Sequence, residues 1–240
     1  MDLRSALRRP RTWLIGVPIV LLLALVAGPF VYINFIQNDA PDRLTLDDTS
    51  TTQAGSTDTG SDASASIDGS WVVSDGSQAG YRVAEVLVGQ DTEAVGRTSD
   101  VTGQLLIAGT TIDSATFEVD MTTVTSDESR RDNQFRDRIM DTATYPTATF
   151  ELTEPVELEA VPDDLEEFTT TVTGELTLRG VTNEVTFDLT ARRNGDTIEV
   201  NGAIPVSFAD YEIPDASFGP ATVGDTGEVE FLIVFELDGP

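Results

Sequence analysis

From residue 70 onward the sequence predicts an all-β fold, an antiparallel barrel of about eight strands with one helix, set behind a transmembrane helix and a disordered linker. Three observations predict it. Apolar and polar residues alternate over runs of 10–13 residues, the alternation breaks once for a segment of helical spacing, and an uncharged stretch runs from Trp13 to Ile36.

That stretch comes first along the chain. At about 1.5 Å per residue a helix over 13–36 reaches roughly 36 Å, enough to cross the hydrocarbon core of a bilayer. Arg4, Arg8, Arg9 and Arg11 precede it and no basic cluster follows. Residues 1–12 are therefore expected in the cytoplasm and everything after Ile36 outside. A cleaved signal peptide shares the basic start, but its apolar core is shorter and ends in a small-residue cleavage site, so a retained anchor is the preferred reading.

Residues 37–69 are rich in Ser, Thr, Asp, Gly and Ala and contain no aromatic residue. Such a composition buries too little surface to offset its ordering entropy, so a flexible tether with an r.m.s. span of about 30–35 Å is expected.

Residues 70–240 carry the alternation. In "FTTTVTGELTL" Phe168, Val172, Gly174, Leu176 and Leu178 share one face, and "ATFEVDM", "EVTFDLTA" and "VEFLIVFEL" repeat the pattern. A period of two marks half-buried strands. Two stretches, "VTGQLLIAGTTIDSATFEVD" and "VTGELTLRGVTNEVTFDLT", match each other after one gap, and each reads as strand, glycine-containing turn, strand. Long one-faced strands in an up-and-down meander must stack as a sandwich or close on themselves, and strands of this length favour closure. An eight-stranded barrel is either filled by side chains or wide enough for one small ligand.

The alternation stops between Met121 and Ala148. Thr125 and Glu128 have the spacing of a capping box, and Phe135 and Ile139 stand four apart, so a helix is expected over Ser126–Met140. Tyr145-Pro146 then forces an extended path. Arg130, Arg131, Arg136 and Arg138 crowd this segment of a chain with 14 Arg, no Lys, 42 acidic residues and a net charge of −28. Spacing pairs Asp127 with Arg131, Asp132 with Arg136 and Arg138 with Asp141. The alternative is that Arg130 or Arg131 stands at the barrel mouth and forks onto an anionic head group.

Composition excludes more than it proposes. The acidity argues against nucleic acid as a partner. With no His, Cys or Lys there is no catalytic triad, thiol nucleophile, Schiff base or His-ligated zinc, and no metal or cofactor motif is present. Carboxylate chemistry survives, but it needs two inward carboxyl groups about 5–9.5 Å apart in a cleft.

The succession of "WVVS", "VTGQLLI", "FEVDMTTVTSDESRRDNQFRDRIMDTATYPTATF", "VTGELTLRGVTNEVTFDL" and "SFADYEIP" resembles the YceI-like polyisoprenoid-binding family, over about Gly69 to Leu237. The resemblance implies a lipocalin-like barrel whose apolar tunnel holds an isoprenoid chain beyond the cytoplasmic membrane. The chain departs from many relatives in its retained anchor and in having no histidine.

The expectation is therefore a non-enzymatic, membrane-anchored lipid binder that takes an isoprenoid or similar amphiphile. Tyr81, Leu105, Phe117, Phe150, Phe168, Leu176, Phe187 and Phe231 are the expected lining, with Arg130 and Arg131 as head-group contacts. The alternative is a non-catalytic envelope scaffold with a filled barrel.

Overall fold

The computed structural model describes residues 40–51 and 66–239. The expected cytoplasmic segment 1–12 and membrane helix 13–36 lie outside them, as do residues 37–39 and 52–65 of the linker. Among the described residues no helix is long and apolar enough to cross a membrane.

Hairpins build the frame. Strand β4 (Val101–Ala108) turns at Gly109 into β5 (Thr111–Asp120), and β9 (Phe168–Leu178) turns at Arg179-Gly180 into β10 (Val181–Asn194). Arg179 and Gly180 both have positive φ, 51° and 76°, the primed turn that matches strand twist in a two-residue connection. The two self-similar stretches are thus two hairpins, as their turns predict. β10 pairs with β11 (Thr197–Ser207), and β11 pairs over its whole length with β13 (Thr226–Leu237).

With β1 (Gly69–Val73) and β7 (Thr147–Leu152), these strands run β1-β4-β5-β7-β9-β10-β11-β13, and β1 pairs with β13 to close an antiparallel barrel of eight. β13 is shared at the seam. Its last residues pair with β1, while Glu228–Leu232 pair with β2 (Gln78–Leu87), which carries β3 (Gln90–Thr98) and the short β6 (Thr125–Ser126). Two more short strands, β8 (Val156–Glu157) and β12 (Ala221–Val223), edge β5 and β2.

The helical segment sits between β5 and β7, and so it covers one end of the barrel. It is shorter than its spacing predicts. Thr125 and Ser126 are strand, the helix α1 runs Ser129–Gln134, and Phe135–Ile139 widen into a π turn. The cap is not the Thr125 box: the Glu128 carboxylate accepts the Arg130 N–H at 3.0 Å. Asp132 accounts for the late start, because it accepts from the Ser126 N–H at 2.8 Å and from Ser126 Oγ at 2.6 Å. Those bonds hold Ser126 against β3 instead of letting it begin the helix.

The tether expectation fails over its described N-terminal part. Leu44 and Leu46 are buried on Leu232, which β13 points outward. Arg82 Nη2 donates to the Pro41 carbonyl at 2.7 Å, Asn201 Nδ2 to the Leu44 carbonyl at 3.1 Å and Arg192 Nη2 to the Leu46 carbonyl at 2.5 Å. Arg97 donates to the Asp42 carbonyl, and Arg43 pairs with Glu228 at 2.5 Å. Residues 41–49 are a strap along the outer wall. Averaged over a long polar segment, the composition hides the two leucines that hold it down.

Candidate functional site: an apolar channel

Strand parity sorts the interior. β9 points Phe168, Val172, Leu176 and Leu178 inward, β10 points Phe187, Leu189 and Ala191, and β13 points Val229, Phe231, Ile233 and Phe235. The lumen they surround is not filled. It holds a cavity of about 160 Å³ whose wall is almost wholly apolar.

Shape follows from the lining. On β9 the wall residues extend from Phe168 to Leu178, which at about 3.3 Å per residue and a tilt of about 40° is roughly 25 Å along the barrel axis. A lining that runs over that height around a cavity of only about 160 Å³ describes a narrow channel rather than a chamber. A wall that turns almost no polar surface to the lumen gives water little to bond, and apolar cavities of about 150 Å³ stay dry while admitting apolar molecules.

Inward-facing glycines keep the channel open. A Cβ on Gly174 would lie 2.4 Å from Phe150 Cζ and 2.5 Å from the Glu151 carbonyl oxygen, and one on Gly202 would lie 2.7 Å from Phe231 Cζ. The rings pack against bare backbone. A phenylalanine that rests on the wall leaves the axis free, whereas one propped up by a neighbouring side chain would cross it. Gly174→Ala is therefore expected to destabilise the barrel by about 1–3 kcal/mol through overpacking. That would be read as a fall in Tm of roughly 3–10 °C; an unchanged melt would mean that Phe150 moves aside without cost.

Of the expected lining, Leu105, Phe117, Phe150, Phe168, Leu176, Phe187 and Phe231 all border the channel. Their rings run in edge contact, Phe150 to Phe187 at 5.6 Å and Phe187 to Phe231 at 5.9 Å. Tyr81 does not border it. It lies on β2, beyond the seam, and stacks on Phe135 of the helical segment with centroids 5.0 Å apart. Burial pushes its phenol well above the ordinary tyrosine range, against the opposing pull of Arg131.

The sign of that shift makes a prediction. In the unfolded chain Tyr81 ionises near pH 10, while the fold keeps it neutral. Its contribution to stability is complete below about pH 10 and is lost as pH rises toward the folded value. Urea melts between pH 8 and 11 are expected to show a shallower alkaline decline for Tyr81→Phe than for the native chain; equal declines would mean that the phenol is not desolvated.

The arginines of the helical segment stand elsewhere than their sequence spacing suggests. Neither Arg130 nor Arg131 borders the channel. Arg130 is exposed, and Arg131 is held by Asp127 at 2.5 Å and by the buried Glu85 at 3.2 Å. The Asp127–Arg131 pair is the one expected, but the other two are not formed. Asp132 is buried on Ser126, leaving Arg136 to donate to Asn133 at 2.8 Å. Arg138 reaches away from Asp141, to Gln134 Oε1 at 3.0 Å and the Asp215 carbonyl at 2.6 Å.

Among the described residues, the cations that do reach the channel are Arg192 and Arg193, at the end opposite the helix. Arg192 turns its guanidinium outward to Glu199 at 2.7 Å and the strap. Arg193 follows the inward parity of Phe187, Leu189 and Ala191 and meets Asp164 at 3.6 Å. That parity is legible: counting two steps beyond Ala191 finds Arg193. Nothing periodic announces Leu158, Val161 and Pro162, which border the channel from the irregular segment before β9. Among the described residues no Asp or Glu lines the channel, so the paired-carboxylate geometry of a hydrolase is not built there.

Comparisons with known proteins agree with this architecture. The family model described as the YceI-like domain matches residues 71–235. Among solved structures, the chain is similar to a polyisoprenoid binding domain from Saccharophagus degradans implicated in plant cell wall breakdown, at 22% identity and a TM-score of 0.56, covering 70% of this chain and 98% of that one. It is also similar to BcnA of Burkholderia cenocepacia, at 20% identity and a TM-score of 0.50, covering 64% and 95% of the two chains. At these identities the likeness is one of fold. No curated protein matches the chain. With the family model spanning well over half of its length and the barrel closing over those same residues, the chain belongs to the YceI-like family.

Proposed function

We propose that the protein binds a lipid, an isoprenoid or similar amphiphile, by threading its hydrocarbon chain into the barrel channel. The observation that carries this reading is the channel itself: long, narrow, and walled mainly by Leu, Ile, Val and Phe. An apolar chain drawn from water into such a wall gains roughly 0.8 kcal/mol per buried CH₂. A scaffold needs no open lumen, and a barrel that served only as one would gain from filling it. The solved structure described as a polyisoprenoid binding domain shares this fold, which supports the ligand class. The residues offered as contacts are Leu105, Phe117, Phe150, Phe168, Leu176, Phe187 and Phe231.

The reading includes an outward-facing, anchored protein. Its support is the uncharged run 13–36 behind four arginines. Alkaline washing of membranes is expected to leave the full chain in the pellet; release into the wash would remove the anchor.

Native mass spectrometry of gently purified full chain tests the ligand. The expected result is a lipid-sized mass adduct that organic extraction removes. A protein that carries no adduct and takes up neither a prenol nor a quinone would sink the proposal.

A further inference from the structure

We propose that the channel is entered at the end opposite the helix, through a lid formed by residues 158–167, and that the ion pair between Asp164 and Arg193 is its latch. This rests on the channel being a ligand site.

The two barrel ends are built differently. At the helix end Phe135, Met140 and Tyr211 are buried in one apolar cluster with Leu176 and Leu178 of the wall. Opening there would expose a packed core. At the other end the channel meets the loop 158–167, whose Leu158, Val161 and Pro162 form part of the lining and are only partly buried, beside the buried Ile67 of the segment before β1.

Besides the apolar contacts of Leu158 and Val161, that loop is tied to the barrel by polar bonds at two places. On one side the Leu158 N–H donates to the Thr110 carbonyl at 2.8 Å, continuing the pairing of β8 with β5. On the other, everything converges on the end of β10. Asp164 and Arg193 are bridge partners, and the Leu165 N–H donates to the Arg193 carbonyl at 2.8 Å. Asp164 Oδ1 accepts the Gly195 N–H at 2.8 Å and lies 3.6 Å from Arg193 Nε, while Glu167 lies 3.4 Å from Arg192. Between the two attachments, residues 159–163 lie next to the apolar lining residues of the channel's end.

The second attachment is of a kind that opens. The Asp164 side chain is 49% exposed, so its pairing with Arg193 is screened by solvent and weaker than a buried pair. Leu165 holds a φ of +63°, a conformation that costs a residue with a Cβ energy, and its side chain is 58% exposed, so little burial is set against that cost. The bonds to Arg193 and Gly195 hold it there. Releasing them lets Leu165 relax, so loss of the latch biases the lid toward opening, while the Leu158–Thr110 side stays attached as the hinge.

The absence of cysteine from the sequence makes a direct test clean. Asp164→Cys with Arg193→Cys places two thiols on facing bridge partners, and oxidation locks the lid. The probe is all-trans-retinol, an uncharged isoprenoid, added to the full chain in lipid nanodiscs with Trp13→Phe. Loading is followed as energy transfer from Trp71, taken above the signal of a channel-filling Ala115→Phe control. The oxidised double variant is expected to load at least tenfold more slowly than the reduced one, which has lost the latch and should load faster than the native chain. Asp164→Asn keeps an acceptor for the Gly195 N–H but removes the charge, so it is expected to speed loading and release together, severalfold, with their ratio nearly unchanged. Equal loading rates in the oxidised and reduced forms would place the entrance elsewhere and overturn the proposal, as would native rates in Asp164→Asn. Absence of loading even in the reduced form and the native chain would overturn the ligand reading itself, an outcome distinct from either.

Discussion

Replacing Glu230 with alanine is expected to destabilise the barrel by about 3–5 kcal/mol, the loss that follows when a buried ion pair is left with one partner. Glu230 points outward from β13, yet its side chain is only 3% exposed, because Arg82, Arg97 and the strap lie over it. One oxygen accepts from Arg97 Nε at 2.7 Å and the other from Arg82 Nε at 3.2 Å. Arg82 is itself 4% exposed and, if Glu230 is removed, keeps the Pro41 carbonyl but only one carboxylate, Glu93 at 2.6 Å. The guanidinium of Arg82 would stay buried with half its charge compensation gone. Glu230→Gln preserves a hydrogen-bond acceptor and should fall between the alanine variant and the native chain. Urea unfolding measures both, and a midpoint shift for Glu230→Ala equivalent to less than about 1 kcal/mol, the range of an exposed pair, would show that the network is ornamental.

Filling the channel is expected to have the largest effect on binding. Ala115 points inward from β5 and borders the lumen. A phenylalanine there puts a ring into a cavity of only about 160 Å³. Capture of a long prenol by Ala115→Phe should fall at least tenfold. Folding should survive, since overpacking typically costs about 1–3 kcal/mol and here the ring has empty volume to enter. Extraction and lipid quantification on equal amounts of folded protein decide this; undiminished prenol in Ala115→Phe would mean that the lipid binds outside the lumen.

Much of the barrel is legible in the residue pattern. Alternation places the strands, and the parity of "FTTTVTGELTL" puts Phe168, Val172, Leu176 and Leu178 on the inner wall, where they are found. Gly174 is on that face too, but its purpose becomes visible only when Phe150 of a neighbouring strand is seen lying across it. Tyr81 departs from expectation for a related reason. Its strand has the right parity, and Ala79 two residues earlier does border the channel, yet at Tyr81 the strand has left β1's side of the seam and the ring stacks on Phe135 of the helical segment, which parity does not foretell. The helix is legible as a break in alternation, whereas its shortened start depends on Asp132 turning back to Ser126. Intrahelical spacing describes the arginine contacts only where no tertiary partner competes: Arg131 keeps Asp127 and adds Glu85, while Arg138 leaves its neighbour for the carbonyls of residues 215 and 217.

The class of fold, the hairpin order, the inward set of side chains and the missing chemistries all follow from local periodicity, turn residues and composition, and so they are written in the chain itself. The hollow lumen, the clasp of residues 41–49 on the outer wall, and the placement of Arg130 and Arg131 away from the channel emerge only in three dimensions. Each of these depends on which strand lies beside which. Where the ends of a barrel lie relative to a helix or a loop is a property of closure, and closure joins residues that no local pattern relates.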